Sequence, residues 1–86
     1  MDYQKLDARL AEALSAPDGH TEFEVFVEIA RDAADGDVDR LARLGVRRLR
    51  EDEAVVTAQL SRAHVGDVSD VPAVRYVRLS RRLRHS

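Results

Sequence analysis

The sequence predicts an α+β domain: four antiparallel strands and two helices in the order βαββαβ, behind an amphipathic N-terminal helix. Three observations predict it. Residues 21–30, TEFEVFVEIA, alternate apolar and polar side chains with the two-residue period of a half-buried strand. Three further strand-like stretches, at 46–50, 54–60 and 73–80, are interleaved with two stretches of helical spacing. Finally, 86 residues with a 44% apolar share suit one core and one domain.

Residues 2–15 read as a helix capped by Asp2, with Tyr3, Leu6, Leu10, Ala13 and Leu14 on one face. Ala16-Pro17-Asp18-Gly19 stops it, because proline lacks a backbone N–H and Asp-Gly favours a turn. In the first strand Phe23, Val25, Val27 and Ile29 form one face; Glu22, Glu24, Phe26 and Glu28 form the other. After a loop at 33–36, Asp37 is expected to cap a short helix that turns Val38, Leu41, Ala42 and Leu44 inward. Gly45 stands where helices end in a left-handed turn.

Residues 46–50 are the expected second strand, although arginines at 47, 48 and 50 interrupt its alternation. Past the acidic turn Glu51-Asp52-Glu53, the third strand sets Val56, Ala58 and Leu60 against Val55, Thr57 and Gln59. Ser61 can cap the next helix, whose Val65, Val68 and Val71 make an apolar edge. Pro72 ends that helix, and the fourth strand carries Val74, Tyr76, Val77 and Leu79. The whole satisfies a ferredoxin-like, split βαβ arrangement, with both helices on one face of the sheet. Its expected parts are an N-terminal helix at 1–16, the sheet domain at 21–80 and a basic tail at 81–86.

The composition excludes several kinds of chemistry. Without cysteine there is neither a disulfide nor a thiolate metal site. His20, His64 and His85 lack the spacing of a metal pair, and no metal or other cofactor is expected. Neither a G-x-S-x-G elbow nor a glycine-rich phosphate loop occurs, so the chain is not expected to be an enzyme on its own. The start, MDYQKLDARL, is not a signal peptide, and no apolar run approaches the ~20 residues of a membrane span. A cytoplasmic protein without a membrane partner is the default expectation.

Charge is divided unevenly. Residues 1–39 hold eleven acids and three bases, whereas residues 40–86 hold five acids and eleven bases. Two faces that attract each other within one domain account for this; a basic surface for an acidic partner is the sharper alternative. Arg78, Arg81, Arg82 and Arg84 could meet nucleic acid electrostatically. Recognition through the sheet is not expected, since Glu24 and Glu28 flank Phe26 and the aromatic-rich RNA-binding motif is missing.

The feature that remains is the open sheet face. Phe26, Val55, Thr57 and Tyr76 should lie on it, framed by Glu24, Glu28 and Arg78. Apolar side chains on an uncovered face mark a contact surface. The competing expectation is that the N-terminal helix folds over this face.

Four stretches taken together resemble a known family: FEVFVEIA, DVDRLARLGV, EAVVTAQLS and VGDVSDVPAVRYVRLSRRLR. They are similar to the propeptide, or N-terminal inhibitor-like domain, of subtilisin-family serine proteases. In that family the second helix ends at a proline before a valine-rich final strand. Here Val65, Val68, Val71, Pro72, Val74 and Val77 occupy those places. The leading KLDARLAEAL resembles the segment that precedes this domain in some bacterial members.

The resemblance implies that the open face, with Phe26, Thr57 and Tyr76, lies on two helices of a protease. It implies that Arg81, Arg82, Leu83, Arg84, His85 and Ser86 run extended into the protease cleft as an added strand. Such a domain templates protease folding and then inhibits. The 86 residues hold no protease domain after Ser86, so the expectation divides: either the chain is cut from a longer protein, or it is a free-standing domain that inhibits a separate protease, assists its folding in trans or serves as an adaptor. The alternative is a non-catalytic interaction or self-assembly module, dimerising through the open sheet or the N-terminal helix.

Overall fold

A computed structural model describes residues 1–15, 22–48, 50 and 53–82. Among them the chain forms a small α+β fold of one three-stranded antiparallel sheet and the helices packed on it. In chain order these are a 3-10 turn Tyr3–Lys5, α1 Ala8–Leu14, β1 Phe23–Ile29, α2 Asp35–Arg43, β2 Val55–Leu60, α3 Arg62–Ser69 and β3 Val74–Arg82. The strand order is β2-β1-β3, with β1 in the centre.

The strands follow from their alternation. Phe23, Val25, Val27 and Ile29 of β1 are buried with Val56, Ala58 and Leu60 of β2, and with Val74, Val77 and Leu79 of β3. The spacing in β3 is irregular because β1 and β3 shift register twice, between Glu28 and Ile29 and between Glu24 and Val25. Ile29 faces Val74 and Glu28 faces Tyr76, which leaves Arg75 as the extra residue of a bulge. That bulge lets Val74 and Val77, three positions apart, both reach the core.

The helices close the same core. Leu10, Ala13 and Leu14 of α1, Leu41 of α2, and Val65 and Val68 of α3 join one buried cluster with the strands. Ser61 caps α3 as expected, its Oγ accepting the His64 N–H at 3.2 Å. At the end of α2, Gly45 takes φ +97°, a conformation suited to glycine. The Val46 N–H then donates to Leu41 O at 2.8 Å, and the Gly45 N–H donates to Ala42 O at 3.1 Å. This is the Schellman closure, with Val46 and Leu41 both buried beside it.

Three expectations are corrected. The N-terminal helix is not continuous over 2–15: Leu6 is extended and bridges Val77 of β3 in parallel. Asp7 then starts α1 as its cap. An aspartate carboxylate competes with helical backbone bonding, and here it has a partner in the sheet. Helix α2 begins at Asp35 rather than after Asp37, with Ala34 as a cap that supplies no side-chain bond. Asp35 and Asp37 act instead as first-turn charges that favour the positive end of the helix dipole.

Third, residues 46–48 and 50 are not in a strand. Val46 is spent on closing α2, and Arg47, Arg48 and Arg50 give no apolar face to pair with it. The expected turns at 16–19 and 51–52 lie outside the described residues.

Candidate protein-docking face

Because every second residue of the strands is drawn into the core, the residues between them share the opposite face. Phe26 is half-buried at its centre, and Thr57, Gln59, Glu28 and Arg78 are exposed around it. Val55 is 49% exposed and Tyr76 is 37% exposed. The register aligns them in cross-strand rows: Phe26 lies between Thr57 and Arg78, and Glu28 lies between Val55 and Tyr76. The structure thus brings together all five residues singled out for this face.

The N-terminal helix does not cover it. Leu6, Leu10, Ala13 and Leu14 are buried in the core on the far side of the sheet, and Tyr3 is exposed. What holds the face in shape is local. The Arg78 guanidinium carbon sits 5.2 Å from the centre of the Phe26 ring, a cation–π contact that buries part of the ring. Ser80 Oγ donates to Glu24 Oε1 at 3.0 Å and fixes the next carboxylate along β1.

Phe26, Glu28, Val55, Tyr76 and Arg78 line a shallow dent of about 50 Å³. Small-molecule sites take roughly 300–1,000 Å³, so this dent is much smaller than such a site. Its mixture of aromatic, aliphatic and arginine groups, with charges at the margin, is that of an interface centre. A larger dent of about 190 Å³ between β1 and α2 is lined by Ile29, Val38, Leu41, Ala42, Val46, Arg47 and Arg48. It too falls short of that range. Among the described residues no group of three or more His, Asp or Glu could hold a metal ion. No helix among them is long and apolar enough to cross a membrane.

The C-terminal residues divide. The backbones of Arg81 and Arg82 belong to β3, opposite Glu24 and Phe23. Leu83, Arg84, His85 and Ser86 lie outside the described residues, as does His20. Sequence reasoning missed Asp7, whose partner is 72 positions away, and the Arg78–Phe26 stack, which depends on a register no local pattern encodes. No family model, curated protein or solved structure matches this chain.

Proposed function

We propose that the domain works by docking rather than by catalysis, as a propeptide-like inhibitor or folding assistant of a subtilisin-type serine protease. One observation carries this reading: a sheet face with Phe26, Val55 and Tyr76 at its middle that no described residue covers, the described helices packing on the other side. An aromatic ring and a valine that contribute little to the core are poorly placed in water unless a partner covers them. Helices of a protease would lie on this face, while residues 81–86 continue the line of β3 into the cleft. Four arginines occur between Arg78 and Arg84, so a cleft with acidic subsites suits this segment. The cysteine-free chain fits a cytoplasmic site of action.

The same reading includes the full split βαβ sheet, to which the order β2-β1-β3 conforms. Gly45 lies against Leu60, at the far end of β2 from Ala54. The intervening chain must therefore travel the length of β2, about 20 Å at 3.3 Å per residue. We propose that the stretch carrying residues 46–48 and 50 leaves the course it takes in the free chain and runs beside that outer edge when the partner is bound. The 2.7 Å bond from Ile29 N–H to Ala54 O sets the phase of the β1–β2 ladder, so Val55, Thr57 and Gln59 turn their N–H groups to that edge. Slow amide exchange at these three residues in the complex is the expected result.

The deciding test is titration of subtilisin-type proteases, some with acidic and some with apolar clefts, with the full chain. Inhibition that weakens on Phe26→Glu and on removal of residues 83–86 is expected. A folded chain that neither binds nor inhibits any of them at micromolar concentration removes the protease reading. A stable dimer lost on Phe26→Glu would then favour self-assembly.

A further inference from the structure

We infer that Asp7 is a positioning residue that sets the course of the last residues of β3, Leu79–Arg82; the inference rests on the proposed function for the use made of the chain beyond them. The Asp7 carboxylate is divided between two jobs. Oδ1 accepts the Leu10 N–H at 2.7 Å and caps α1. Oδ2 accepts the Leu79 N–H of β3 at 2.9 Å. Beside it the Asp7 backbone N–H donates to Val77 O at 3.0 Å, and Leu6 bridges Val77. Asp7 therefore occupies both outward groups of β3 just before the strand's second irregularity.

That irregularity is the bulge at Ser80. Val25 faces Leu79 and Glu24 faces Arg81, so Ser80 is the extra residue. A bulge bends its strand and changes the direction in which the chain proceeds. Here it is held on one side by Ser80 Oγ on Glu24 and on the other by Asp7 on Leu79. Residues 83–86, which the proposed function sends into a cleft, begin three positions beyond it in sequence.

The N-terminal segment that carries Asp7 is itself anchored to the α3–β3 corner. The Met1 ammonium pairs with Asp70 at 3.2 Å, the Asp2 N–H donates to Ser69 Oγ at 2.9 Å, and Lys5 Nζ donates to Val71 O at 3.1 Å. The carboxylate thus reaches β3 from a fixed base rather than from a loose arm.

Asp7→Asn separates the two jobs. Asparagine caps a helix as well as aspartate does, but its amide nitrogen cannot accept a second N–H. Asp7→Ser keeps a cap and cannot reach across to Leu79. In the free full-length protein, amide exchange at Leu79 should rise by about tenfold or more in both variants, as expected for losing a bond to a charged group. Order parameters at Ser80, Arg81 and Arg82 should fall while those of β2 hold. Unchanged exchange and order there overturn the inference, whichever protease binds.

With a bacterial subtilisin and a dibasic-specific subtilisin-type protease as probes, Asp7→Asn should weaken inhibition by the full chain. It should leave face binding by a chain ending at Arg82 unchanged. Equal losses in both chains mean that Asp7 merely supports the fold. Absence of binding by every chain, with Leu79 released as expected, defeats the protease reading and leaves the positioning role standing.

Discussion

The two faces of the sheet are made by the same three strands, one residue out of step, yet they answer to different demands. Toward the helices, Phe23, Val25, Val27, Val74 and Val77 are almost wholly removed from water. On the other side, Phe26, Val55 and Tyr76 stand among Glu28, Thr57, Gln59 and Arg78 with no element of the described chain over them. The three apolar members of the open face add little to the core, and under the proposed function a partner covers them. Substitutions on the two faces should therefore separate stability from binding.

The largest effect belongs to the buried face. Phe23 is the largest of the fully buried side chains and lies at the start of the central strand. Phe23→Ala should cost roughly 3–5 kcal/mol, the range for deleting a buried aromatic ring. Native domains have only about 5–15 kcal/mol in total, so urea unfolding should show a much lower midpoint or no cooperative transition. A loss below about 1 kcal/mol would mean that the helices do not seal this face as tightly as the burial indicates.

That division between faces was legible in the sequence, because a period of two assigns each residue of β1 and β2 to a side without knowledge of its partners. Phe26, Val55 and Thr57 follow from it; Tyr76 and Arg78 lie on β3, where the bulges interrupt the period. What the sequence did not show are features set by distant pairing. The bulges at Arg75 and Ser80 exist because β3 must match β1 while presenting Val74, Val77 and Leu79 to one core. The break at Leu6 and Asp7 exists because β3 offers the groups of Val77 and Leu79 there. Local spacing in YQKLDARLAEAL reads as one helix, and nothing in it refers to residues 72 positions later. The segment 46–50 misled in the opposite sense: a strand-like valine was needed to close α2.

The covering layer of helices supplies the middle of the scale. Ser69 is the one buried polar side chain among the described residues. Its hydroxyl accepts from the Asp2 N–H and donates to Gly66 O at 2.7 Å. Ser69→Ala removes both and leaves a partly buried N–H without its acceptor, an expected loss of roughly 1–3 kcal/mol. Thermal unfolding should register it, since 1 kcal/mol moves Tm by about 4–8 °C in a domain of this size. An unchanged Tm would show that the N-terminal segment is not part of the cooperative unit. Gly45→Ala comes next, at about 1–2 kcal/mol. A Cβ there would meet Leu60 Cδ2 at an ordinary 3.6 Å, so the cost comes from φ +97° and not from crowding. Gly45→Asn should accordingly recover part of the loss, because asparagine tolerates that region better than alanine.

Tyr76 gives the smallest effect on stability and the sharpest test of the comparison. Its ring is 37% exposed beside the dent, in β3, and faces Glu28 across the ladder. Tyr76→Ala removes no member of the core, and the bulge at Arg75 rests on backbone pairing that alanine retains. Urea unfolding should therefore shift by no more than about 0.5 kcal/mol, as for a surface substitution. A centrally placed aromatic that a partner covers loses about tenfold or more in affinity on truncation, because a desolvated ring at an interface centre contributes well beyond its share of area. Stability held and affinity lost would assign the open face to binding. Stability lost in step with affinity would make Tyr76 a part of the fold, and the two faces would then differ in degree rather than in kind.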